Sequence, residues 1–173
     1  MKNMIKTKKK LIVTAMAACM LLVGGVIIAR LLGVSFAENN VGQGDTVKVG
    51  NGKYKIISEY DSFAQYVGPT KDSVVSVTIP DTIKAGGKTY KVVSIGDSAC
   101  NSNCGSLKKL TIGRNVICIG ARAFRFCEKL KSVTIKTTHL TKENVKQLSF
   151  YDLNKKATIT VPEQKLEEYK KIL

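Results

Sequence analysis

Residues 95–135 read IGDSACNSNCGSLKKLTIGRNVICIGARAFRFCEKLKSVTI. Within them Ile95-Gly96-Asp97-Ser98-Ala99-Cys100 returns as Ile119-Gly120-Ala121-Arg122-Ala123-Phe124, 24 residues on. Leu107-Lys108-Lys109-Leu110-Thr111-Ile112 returns as Leu130-Lys131-Ser132-Val133-Thr134-Ile135, and Cys104 returns as Cys127, both 23 residues on. The one-residue slip falls between Cys100 and Cys104, where a loop absorbs it. A period of this length lies in the leucine-rich range, one strand and one compact turn per coil. In Leu107 to Ile112, Leu110 and Ile112 point inward while Lys109 and Thr111 point outward, because strand side chains alternate. Gly96 and Gly120 mark corners where the backbone bends tightly or takes positive φ. Ala123, Phe124, Cys127 and Leu130 have the spacing of a short helical turn against a core. Stacking then forms ladders of Ile, Ala and Phe or Cys, so no coil is stable alone.

The pattern extends both ways as half-units, Val77-Thr78-Ile79-Pro80 before it and Thr158-Ile159-Thr160-Val161-Pro162 after it. Upstream, strand-like runs occupy Tyr54 to Ile57 and Val74 to Ile79, with Ser58 to Ser73 reading as irregular between them. Gly86-Gly87 between the runs ending at Ala85 and beginning at Tyr90 is a hairpin signal. Residues 38–52, ENNVGQGDTVKVGNG, read as a polar linker running into a strand. Downstream, Thr141 is placed to cap a helix through Leu148 with Val145 and Leu148 buried. Pro162 suits the first turn of a last helix. In that helix Glu163, Glu167 and Glu168 precede Lys170 and Lys171, as the helix dipole favours. Leu166, Tyr169, Ile172 and Leu173 form its apolar stripe.

The unit L-x-x-I-x-I-x-x-x-V-x-x-I-G-x-x-A-F-x-x-C is matched almost position for position by residues 107–127 and less closely by 74–104. In this the chain resembles the BspA-like, treponemal-type leucine-rich repeats of bacterial surface proteins. The tail from Ile135 to Leu173 resembles the capping segment that ends such arrays. Cys100 departs from the family, which carries Phe there. The resemblance implies an α/β solenoid, a short array of about two to three coils with a β-rich N-terminal flank and a helical C-terminal cap. The implied organisation is a leader over 1–37, linker and flank over 38–73, repeats over 74–136 and cap over 137–173. It also implies adhesion or host interaction, as in longer proteins of this kind, and it implies no cofactor.

The leader stands apart in composition. Five lysines precede Leu11 to Ala29, nineteen residues without a charge. Ser35 and Ala37 fit the −3 and −1 positions of a signal-peptidase site, which predicts cleavage after Ala37. The apolar run is also close to the ~20 residues of a membrane-spanning helix, so retention of residues 11–29 as an anchor in the cytoplasmic membrane stays open. A lipobox at Met16 to Cys19 is a poor fit, since the longer apolar run follows Cys19 rather than preceding it. Either outcome puts the remainder outside the cytoplasm.

Composition removes most chemistry. The full chain carries 28 Lys and Arg against 13 Asp and Glu, with one His and no Trp. Beyond residue 37 there are 22 bases and 13 acids, a formal +9, and 19 of those bases are Lys. They are dispersed, without the Arg and aromatic clustering of nucleic-acid sites, so no specific nucleic-acid partner is expected. Generic attraction to anionic polymers remains. His139 has no evident cysteine and orienting partner for nucleophilic catalysis. Asp97, Glu128, Glu143 and Asp152 are scattered over turns, and no phosphate loop or nucleophile elbow occurs. The chain is therefore expected not to be an enzyme. Cys100, Cys104, Cys118 and Cys127 allow three disulfide pairings. Cys104 and Cys127 could bridge adjacent coils, but the family repeats this Cys as a small buried hydrophobe, which favours free thiols. Metal-ligand spacing is poor. Solenoids bind through their strand face, which nominates Lys109, Thr111, Arg114, Ser132, Thr134 and Lys136 against an extracellular protein or glycan.

Overall fold

The structure, a computed structural model, describes residues 41–100 and 104–173. The leader, the Ala37 cleavage site and the 11–29 anchor lie outside the described residues. Among the described residues no helix is long and apolar enough to cross a membrane.

The decisive element is a parallel sheet built from the repeats. Strands β4 (Ser76–Ile79), β7 (Lys109–Ile112), β9 (Ser132–Ile135) and β10 (Thr158–Thr160) lie in the order β10-β9-β7-β4. Val77, Leu110, Val133 and Ile159 share one register row, and Ile79, Ile112 and Ile135 share another. The alternation written in the sequence is realised: in β4, β7 and β9 every second residue is buried and its neighbours face out. Burying each such Leu, Ile or Val contributes roughly 1.5–3 kcal/mol. Four strands mark four successive passes of the coil, so both half-units take part.

The N-terminal flank is a second sheet, ordered β1-β2-β3-β6-β5. It comprises β1 (Thr46–Val49), β2 (Gly52–Ser58), β3 (Phe63–Pro69), β5 (Thr82–Ala85) and β6 (Lys88–Ile95). Gly86 and Gly87, both at positive φ, turn the β5–β6 hairpin. Pro80 separates that hairpin from β4, which belongs to the other sheet. The stretch 58–73 is not irregular, because β3 runs through it. Ala64, Tyr66 and Gly68 alternate inward there, and Tyr66 meets Tyr54 edge-on with ring centroids 5.6 Å apart. Hydrogen bonds to β2 on one side and β6 on the other hold this strand, whose own residues are an unremarkable mixture.

Beyond the sheets, the coils are stacked by their turns. Short β8 (Cys118–Ile119) pairs with Ser94 and Ile95, and Ile119 bridges onward to Val145. Cys100 N–H donates to Ala123 O at 2.7 Å, and Phe124 N–H donates to Ser149 O at 2.9 Å. Neither Gly96 nor Gly120 is among the positive-φ residues. Gly120 is instead required by close approach: a Cβ there would lie 2.5 Å from Asp97 N. Positive φ falls two residues further along each coil, on Ser98 (52°), Arg122 (55°) and Leu148 (58°).

No helix forms over 141–148. Val145 is drawn into an extended bridge with Ile119, and Lys146 N–H donates to Ile119 O at 2.9 Å. The φ of Leu148 then breaks any helical run and leaves its side chain exposed. Residues 145–150 thus repeat the 119–124 turn one coil later, with Phe150 stacked on Phe124 at 5.4 Å. The last helix does form. A 3-10 turn (Glu163–Lys165) after Pro162 leads into α1 (Leu166–Ile172). Of the expected stripe, Tyr169 is buried, Ile172 and Leu173 pack against the core, and Leu166 stays exposed. The Tyr169 hydroxyl donates to Thr137 O at 3.0 Å and accepts from Leu140 N–H at 3.1 Å, tying α1 to residues 137–140.

Candidate binding face

The outer face of the parallel sheet is two rows of side chains in register. One row is Ser76, Lys109, Ser132 and Thr158; the other is Thr78, Thr111, Thr134 and Thr160. Neighbours within a row stand on adjacent strands, about 4.8 Å apart, and the rows are about 6.6 Å apart along each strand. Every threonine of the second row sits on a strand that shares its neighbour's direction, so the hydroxyls recur at a constant step. Each hydroxyl offers one donor and two acceptor positions. Branching at Cβ holds threonine near one or two rotamers, so little side-chain freedom is lost on contact. No Asp or Glu occupies an outward position of these four strands. The arrangement can hydrogen-bond an extended polar polymer at several points and tolerate negative charge on it.

Of the residues nominated from sequence, the sheet gathers Lys109, Thr111, Ser132 and Thr134. Lys136 follows β9 directly and is exposed, with its N–H bonded to Ile112 O. Arg114 turns the corner after β7 and is tied to Asp81. Its N–H donates to Asp81 Oδ1 at 2.6 Å and its guanidinium lies 3.5 Å from Asp81 Oδ2. A carboxylate thus already engages Arg114, in a pair that is largely solvated and worth little. Ser76, Thr78, Thr158 and Thr160 were missed. The half-units Val77-Thr78-Ile79 and Thr158-Ile159-Thr160 carried the signal, since their outward threonines continue the row begun by Thr111 and Thr134.

Among the described residues, the histidine and the cysteines do not come together as a nucleophile with a base. His139 is exposed beside the coil and Cys118 is half-buried. Cys100, Cys104 and Cys127 are free, buried thiols in neighbouring coils. The hydrogen bond with Cys104 and burial push the Cys100 thiol well above its ordinary range. For Cys104, the lowering by Cys100 is outweighed by the bond with Cys127 and by burial, which bring it to about 12. Thiols so raised remain protonated and unreactive. Among the described residues no group of three or more His, Cys, Asp or Glu could hold a metal ion.

The family described as BspA type leucine-rich repeat region (6 copies) matches residues 91–172. Similar solved structures include a leucine-rich cell surface protein from Faecalibacterium prausnitzii A2-165. It is 22% identical with a TM-score of 0.48, and the match covers 68% of this chain and 43% of that one. A leucine-rich repeat protein from Bacteroides capillosus ATCC 29799 is 22% identical with a TM-score of 0.47, over 68% of this chain and 98% of that one. Another, from Bacteroides ovatus ATCC 8483, is 20% identical with a TM-score of 0.48, over 68% of this chain and 38% of that one. The chain therefore spans less than half the length of the first and third. No curated protein matches it.

Proposed function

We propose, given that residues 91–172 match the BspA type leucine-rich repeat family, that this chain is a non-enzymatic protein of the bacterial cell surface. It binds an extracellular protein or glycan through the outer face of the β10-β9-β7-β4 sheet. The observation that carries the reading is the in-register row of Thr78, Thr111, Thr134 and Thr160 beside Lys109, with no carboxylate on the face. Evenly stepped hydroxyls with sparse positive charge suit a hydroxyl-rich or anionic chain bound at many weak points. The N-terminal segment delivers the domain outside the cytoplasm, by cleavage after Ala37 or as an anchor through residues 11–29.

A second reading, retention at the envelope by charge alone, is favoured by one fact: most lysines lie off this face, dispersed over the remaining surface. One experiment separates the two. The full chain is titrated against matrix proteins, mucin glycans and anionic wall polymers at about 0.05 M and 0.3 M salt, a range over which screening weakens purely electrostatic contacts steeply. Recognition by the sheet gives saturable binding to one class that survives the higher salt and falls at least about tenfold in Thr111→Val with Thr134→Val. Binding to every polyanion that vanishes with salt and ignores those substitutions refutes it.

A further inference from the structure

The geometry points to a second interaction surface, on the turns of the coils rather than on the sheet, where Arg125, Phe126, Leu148 and Tyr151 dock an acidic polypeptide segment. The Arg125 guanidinium carbon lies 4.2 Å from the Phe126 ring centroid and 5.6 Å from that of Tyr151. Among the described residues its buried Nε has no hydrogen-bond partner, and no carboxylate pairs with this guanidinium. Around it three large side chains are open to solvent: Phe126 at 41%, Leu148 at 41% and Tyr151 at 49%. Adjacent coils bring Phe126 and Tyr151 together, since Phe126 N–H donates to Tyr151 O at 3.2 Å, and Tyr151 N–H donates in turn to Leu148 O at 3.2 Å.

The backbone adds an independent observation. Phe126 and Leu148 hold φ of 62° and 58°, a conformation that disfavours bulky side chains and suits glycine or asparagine. The same φ recurs at Ser98, Arg122 and Asp152, so the coil itself imposes it; what is particular to Phe126 and Leu148 is that large apolar side chains stand exposed at those turns. Composition agrees: two of the three arginines beyond residue 37, Arg122 and Arg125, sit on these turns. Arginine and aromatic side chains are the types that carry most interface energy.

The occupant follows from chemistry. A guanidinium with donors to spare and no anion takes a carboxylate bidentately. The guanidinium lies over the Phe126 ring, on a face where a sugar would otherwise stack, which leaves Leu148 and the ring edges to be covered by apolar side chains. A polypeptide with Asp or Glu next to Leu or Phe supplies both. Asp152 and Glu128 flank the patch in sequence and would exclude partners whose acids overrun it.

The test uses the full chain and two sets of synthetic peptides, one with Glu or Asp flanking Leu and Phe, the other identical but for Gln and Asn. Saturable binding is expected from the acidic set, at least about tenfold weaker from the neutral set and in Arg125→Gln. Amide shifts should map to residues 122–126 and 148–152. Phe126→Gly should weaken binding similarly while melting no lower than the parent, because it relieves the positive φ. Absence of binding by every acidic peptide overturns the proposal, as does equal binding of the neutral set or indifference to Arg125→Gln. Self-association of the chain that Arg125→Gln abolishes would assign the patch to a second copy and overturn it too.

Discussion

Replacing Gly120 by alanine should unseat one coil from the next. The added methyl would lie 2.5 Å from Asp97 N and from Asp97 Oδ1, and 2.6 Å from the Gly96 carbonyl carbon, roughly 0.9 Å inside the 3.4 Å at which ordinary contact begins. Two of those three atoms are backbone and cannot rotate away, so the coils must part. Overpacking of this kind costs about 1–3 kcal/mol. Parting also strains the bonds from Ala121 N–H to Asp97 Oδ1 at 2.7 Å and from Gly120 N–H to Ile95 O at 2.9 Å, each worth about 0.5–1.5 kcal/mol. Against this, alanine restricts the unfolded chain by about 0.4–1 kcal/mol. The net is a loss of about 2–4 kcal/mol, or a melting point lower by roughly 8–16 °C. Gly105→Ala is the control, because its Cβ would meet nothing within 4 Å and should leave stability within about 1 kcal/mol of the parent. Thermal and urea melts followed by far-UV circular dichroism decide it. If Gly120→Ala melts with the parent, close approach between coils is not what that glycine serves.

Tyr169→Phe should cost about 1–3 kcal/mol in a urea melt, since it strands the buried Leu140 N–H and deprives Thr137 O of its donor. Stability should fall as pH rises from about 9 toward 12. Burial lifts the Tyr54 hydroxyl from 10.0 to about 12, while Cys104 rises from 9.0 to about 12 under the opposed bonds with Cys100 and Cys127 and burial. The unfolded state therefore loses these protons first, and the stabilisation present below pH 9 is lost as the folded groups titrate. Tyr54→Phe should flatten that slope in melts taken at successive pH values, and an unchanged slope would refute the assignment. Among the thiols of residues 41–173, a colorimetric thiol reagent should reach Cys118 in the native protein and Cys100, Cys104 and Cys127 only after unfolding. Prompt native reaction of all four would show the coils open.

The repeats were legible because their chemistry recurs by type. Leu, Ile, Gly, Ala and Phe return at positions where each has a single job, and the strand alternation names the outward residues directly. Strand β3 was opaque for the opposite reason: Phe63, Tyr66 and Val67 favour strands, but Ala64, Gly68 and Pro69 interrupt the signal, and partners on both sides hold the segment extended. The third turn was hidden because Val145-Lys146-Gln147-Leu148-Ser149-Phe150 keeps only the Phe of its model, 26 residues on from Phe124. Backbone pairing replaces the missing Gly and Ala, and the buried Ser149 hydroxyl bonds to Gly120 O at 2.9 Å. On the candidate face, four of the six nominated residues fall on the sheet, because alternation fixes strands. Arg114 lay beyond that rule, since its pairing with Asp81 joins residues 33 apart in sequence.

The hydroxyl of Tyr169 answers Leu140 N–H and Thr137 O at once, so one side chain of the last helix serves both a donor and an acceptor of the coil it packs on. It works as a latch: the helix and residues 137–140 let go together, and a substitution on either side of the pair is felt on the other.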